Sequence, residues 1–118
     1  MRRVIDDSKY PVIARQLCDI IRTLNPSELR EYSYGIDRVK VSYVRDAILA
    51  RSYGIKLGKV EHAHGIGNNN AYEIIYTGNP IEEQICGYLH LTDDMYGGVI
   101  CWVSDYDGSR TTESRKLR

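Results

Sequence analysis

The chain has 118 residues, 42% apolar and 27% charged, and its formal net charge is zero. That length suits one domain able to bury a core without staples, and the composition excludes a disordered chain. No apolar run approaches the roughly 20 residues needed to cross a bilayer, and Met1–Asp7 is too short and too acidic for a signal peptide, so a cytoplasmic protein without membrane contact is expected.

In chain order, Pro11–Leu24 reads as an amphipathic helix. Ile13, Leu17, Ile20, Ile21 and Leu24 recur at three- and four-residue steps, with Pro11 suited to the first turn. Asn25-Pro26-Ser27-Glu28 has the cap, proline and N3 glutamate of a second helix, ending near Tyr32–Gly35. Residues 36–40 read as a polar connector. Val41–Tyr53 is the third expected helix, with Ser42 as its cap, Val44, Ala47 and Ile48 facing inward, and Gly54 at its end.

After Gly54 the period changes to that of strands. Ile55–His64, with Gly58 as a weak point or bulge, Ala71–Thr77, Gly87–Leu91 and Val99–Asp105 are the expected strands. A turn-rich connection falls at Gly65–Asn70, and Asp93–Gly98 closes the last hairpin. Asn79-Pro80-Ile81-Glu82 suggests one helical turn at Pro80–Glu83. With Thr92 opposite Val99, His90 faces Cys101, Leu89 faces Trp102, and Leu89, Leu91, Ile100 and Trp102 share the core face. The expected fold is α+β: three N-terminal helices packed on a C-terminal, mainly antiparallel sheet of about four strands. As one domain, 1–118, it divides into a helical layer at about 10–54, an acidic β half at about 55–108 and a loose basic tail at 109–118.

The neutral total hides a divided chain. Residues 1–59 carry twelve basic side chains against seven acidic, a charge of +5. Residues 60–108 contain no lysine or arginine and eight acids, a charge of −8, and the tail carries four basic residues against Glu113. Such segregation bears on partners and fields. Glu82 and Glu83, near Asp105, Tyr106 and Asp107 in the expected register, form one candidate partner-binding cluster, with Asp93 and Asp94 at the opposite hairpin end.

No motif for nucleophilic, phosphate-binding or kinase chemistry is present. His62 and His64 lie two apart, on one strand face, and His90 is a conceivable third ligand, but the pair lacks helical spacing and a glutamate, so no metal or cofactor is expected. Cys18, Cys86 and Cys101 have no CxxC spacing and read as reduced thiols, the last two without the positive neighbours a reactive thiolate needs. Ten tyrosines, one tryptophan and no phenylalanine suit either core-edge packing or a contact surface.

The expected function is a non-enzymatic protein-interaction module. Its acidic surface would dock on a basic protein, such as a nucleic-acid-binding complex, in the manner of phage-encoded inhibitors of host defence. Alternatives are a small nucleic-acid-binding regulator using Arg38, Lys40, Arg45 and Arg51 of the helical half, a metal-dependent enzyme using His62 and His64, and a homodimer through complementary charged halves.

Overall fold

A computed structural model describes residues 2–62 and 69–118. Its described elements are β1 (Arg2–Ile5), α1 (Tyr10–Thr23), β2 (Arg30–Ser33), β3 (Ile36–Val39), α2 (Val41–Arg51), β4 (Ile55–His62), β5 (Asn69–Tyr76), β6 (Glu82–Asp93), β7 (Val99–Ser104) and β8 (Arg115–Leu117). Single 3-10 turns precede α1 and β2. The main sheet runs β4-β5-β6-β7-β8, antiparallel throughout, and β1 joins β6 in parallel beyond the end of β7. β2 and β3 form a separate hairpin.

The two helices form where the apolar spacing lies. Tyr10, Ile13, Ala14, Leu17 and Ile21 of α1, and Val44 and Ile48 of α2, are buried. They share one core with Tyr72, Ile74, Leu89, Leu91, Val99, Cys101, Val103 and Leu117 from the sheet.

The structure corrects the expected three helices on about four strands: there are two α-helices and eight strands among the described residues. The expected second helix is one 3-10 turn, Pro26–Leu29, running into the β2–β3 hairpin. Asn25 does cap, accepting from the Ser27 N–H at 3.1 Å and the Ser27 hydroxyl at 2.7 Å. The cap is satisfied within a single turn, however, and Tyr34-Gly35 then reverse the chain, both with positive φ (52° and 78°), the geometry of a two-residue hairpin loop. Residues 36–39, expected as connector, are β3. Its Val39 N–H donates to the Gly97 carbonyl at 2.9 Å, seating the hairpin against the β6–β7 turn.

Three further expectations fail for related reasons. The turn at Pro80–Glu83 is not helical: the Asn79 side chain accepts from the N–H groups of Ile81 and Glu82, and β6 starts at Glu82. The tail is not wholly loose, since β8 pairs with β7 and buries Leu117. The β6–β7 register differs by one residue, with Leu89 opposite Val103, His90 opposite Trp102 and Leu91 opposite Cys101. A one-residue slip turns one strand's set to the other face. Leu89 and Leu91 therefore meet Val99, Cys101 and Val103 in the core, while Ile100 and Trp102 lie on the helix-free face with His90. The expected bulge near Gly58 is present, as a register shift between Leu57 and Val60. A side chain at Gly58 would meet Ile75 Cδ1 at 2.6 Å and Glu73 Oε1 at 2.9 Å.

Leu89 has no solvent exposure, so Leu89→Ala is expected to lower the unfolding free energy by about 2–5 kcal/mol in urea titrations. A loss below about 0.5 kcal/mol, as at surface positions, contradicts this core.

Candidate functional site

The acids of residues 60–108 whose side chains are described lie at three separate stations, each holding at least one ion pair. At the first, Glu82 lies 3.9 Å from Arg2, and Glu83 lies 4.0 Å from Arg3, which also bonds the buried Glu73. At the second, Asp93 and Asp94 build the β6–β7 turn. Asp93 accepts from the Met95 N–H at 2.8 Å and Asp94 accepts from the Tyr96 and Gly98 N–H groups, both at 2.8 Å. Arg38 of β3 pairs with Asp93 at 2.5 Å, and Lys116 of β8 pairs with Asp94 at 3.2 Å. At the third, Asp105 is buried and accepts from the Arg110 guanidinium at 2.9 Å, the Arg110 N–H and the Ser109 hydroxyl. Asp107 is exposed and accepts from the Ser109 N–H at 3.0 Å, while Tyr106 stacks on Tyr88 at 5.7 Å.

The expected crowding of Glu82 and Glu83 with Asp105 and Asp107 does not occur. Asp105 lies against Gly87 at the end of β7, so Glu83 and Glu82 lie four and five residues further along β6, about 13–17 Å at the usual rise per residue. Every cation in these pairs comes from outside the lysine- and arginine-free stretch, from β1, β3, β8 or Arg110. The divided charge of the sequence is thus largely matched within one molecule.

Electrostatics agree with this bonding. Burial acts to raise the Asp105 pKa, but the Arg110 and Ser109 donors outweigh it and hold the carboxyl well below the usual carboxylate range. Burial likewise opposes ionisation of Asp94, and the Tyr96 and Gly98 N–H groups with Lys116 again win, leaving its pKa lowered.

Of the histidine set, only the His90 side chain lies among the described residues. His64 lies outside them, the His62 side chain is likewise not described, and no group of three potential metal ligands occurs among those that are. His90 stacks on Trp102 with centroids 4.6 Å apart and planes 2° apart, its Nε2 lies 2.7 Å from the Ser104 hydroxyl, and burial lowers its pKa. Two of the thiols are disfavoured as thiolates: burial raises the Cys86 pKa and pushes that of Cys101 up to about 12.

A different surface was not singled out from the sequence. Tyr34, at the tip of the β2–β3 hairpin, is 97% exposed, and Met95 in the β6–β7 turn is 66% exposed. They are the two non-glycine residues with positive φ among those described, 52° and 66°. Tyr32 of β2, Ile36 of β3 and Tyr96 of the β6–β7 turn are also exposed, and the Val39–Gly97 bond ties hairpin to turn. The signal was present as tyrosine abundance, but only the fold seats the hairpin that carries Tyr34 on the turn that carries Met95, through Val39 and Gly97. No family model, curated protein or solved structure matches the chain, and no helix among the described residues is long and apolar enough to cross a membrane.

The Asp105 carboxyl has a folded pKa below its unfolded value of about 3.9. Its contribution to stability is therefore complete above about pH 4 and is lost as pH falls toward the folded value. Asp105→Asn is expected to lower the melting temperature at neutral pH and to flatten the decline below about pH 4. Parallel melting curves for parent and variant across that range exclude the assignment.

Proposed function

We propose that the protein is a non-enzymatic protein-interaction module whose contact surface is the tyrosine- and methionine-bearing end formed by the β2–β3 hairpin and the β6–β7 turn. The supporting observation is that Tyr34 and Met95 both project into solvent from left-handed backbone. A bulky residue there costs on the order of 1 kcal/mol, and such strain concentrates at functional sites. Two-residue loops of this kind favour Asn-Gly, so folding alone favours asparagine over tyrosine at position 34. Exposed tyrosines and a flexible methionine suit a protein surface with apolar pockets.

At the β6–β7 turn and at Asp105 a basic partner finds less support in the geometry, since Arg38, Lys116 and Arg110 already hold those carboxylates. The raised Cys86 and Cys101 pKa values and the stacked, partly buried His90 favour a non-catalytic role.

Tyr34→Asn separates folding from binding. The variant is expected to gain about 1 kcal/mol of stability by relief of the left-handed tyrosine, and to bind the partner captured by the parent from its native host about tenfold more weakly, as expected for a lost contact anchor. Undiminished capture by a stably folded Tyr34→Asn variant refutes the assignment of this end as the contact surface.

A further inference from the structure

Strand β6 is twelve residues long, and β7 covers only Tyr88–Asp93 on one side of it. The remaining edge, Glu82–Ile85, is taken by β1 in parallel register, Arg2 opposite Glu82 and Arg3 opposite Glu83. A strand normally stays in a sheet because one face buries apolar surface. Here Arg2, Arg3 and Ile5 are exposed and only Val4 is half-buried, with Ile5 54% exposed. What holds β1 is the ladder and charge. Arg2 pairs with Glu82, and Arg3 pairs with Glu83 and reaches across to Glu73, which is 4% exposed on β5. The Asp6 N–H donates to the Ile85 carbonyl at 3.0 Å, and the Gln84 side-chain amide donates to Asp6 at 3.1 Å. Elements with little buried apolar contact open at low free energy.

We propose that the β6 edge at Glu82–Ile85 is a strand-acceptor site for an extended basic segment of a partner protein, and that β1 is the intramolecular segment occupying it. The β1 register states the chemistry of the occupant. Backbone groups supply the ladder, as in strand addition to a sheet edge. Two successive cations meet Glu82 and Glu83, and arginine fits the second position because its fork spans Glu83 and the buried Glu73, which a lysine point charge does not do. Apolar residues follow, where Val4 and Ile5 lie opposite Gln84 and Ile85. Because β1 competes, a partner meets only the fraction of molecules with the edge open, and its apparent affinity falls by that fraction.

The probe is a labelled peptide of sequence Arg-Arg-Val-Ile with neutral flanks, titrated by fluorescence anisotropy against the full chain. Arg2→Ser/Arg3→Ser, which weakens β1, is expected to bind it about tenfold more tightly than the parent does. Adding Glu82→Gln/Glu83→Gln should abolish binding, as should serine in place of both peptide arginines, and rising salt should weaken it. Equal binding by parent and variant, or binding indifferent to the glutamine changes, overturns the proposal. Amide exchange in the unaltered chain keeps the test independent of variant folding: β1 and residues 82–85 should exchange before residues 88–93, and faster as salt rises. Equal protection of both segments overturns the proposal. A dimer of the unaltered chain at high concentration, by light scattering, with loss of that dimer in the Arg2→Ser/Arg3→Ser variant, assigns the edge to a second copy and overturns the partner segment.

Discussion

Strand β6 is the element on which the architecture depends. It pairs with β5 along most of its length, with β7 at its C-terminal half and with β1 at its start. A strand without partners on both sides leaves rows of backbone groups to be satisfied elsewhere. Gly87 lies at the change of pairing, where β5 skips from Gly87 to Ile85. A Cβ there would lie 2.3 Å from the Ser104 carbonyl oxygen, so the close approach of β7 requires glycine. On the core side, Cys86, Leu89 and Leu91 of β6 lie in the cluster that receives α1 and α2.

Charge follows from this arrangement. The middle of the chain makes the inner strands and turns and is acidic, while β1, β3 and β8 come from the flanks and bring the cations. Exposed pairs such as Arg2 with Glu82 each contribute little, about 0–1 kcal/mol. Glu73 and Asp105 differ because their carboxylates are buried, and a buried charge that loses its partners is costly. Ion pairing therefore places the flanking segments on the sheet more than it stabilises the sheet itself.

The two loops at the far end join local strain to exposure. Asp93 and Asp94 spend their carboxylates on the turn's own N–H groups, which holds Met95 and Tyr96 outward. The hairpin carrying Tyr34 rests on that turn through Val39 and Gly97. A contact surface set on bonded loops loses less conformational freedom on binding than a flexible one.

Local pattern sufficed wherever a segment's own residues decide its state. The apolar stripe of α1, the position of α2, the strand character of β5, β6 and β7 and the irregularity at Gly58 were all legible, because periods of 3.6 and 2 are written in neighbouring side chains. The eight acids were equally plain, but their partners were not, since Arg3 and Glu73 lie seventy residues apart. Residues 25–39 carry a sound helix start and a sound hairpin loop. The choice fell to the hairpin, which the β6–β7 turn receives at Val39. β1 and β8 are too short to signal themselves and exist as strands because β6 and β7 offer them an edge. Both β6–β7 registers give a credible apolar face. Tertiary packing selected the one that sends Val99, Cys101 and Val103 under the helices and leaves the larger Trp102 to stack on His90, because a close-packed core distinguishes shapes that a two-residue period does not.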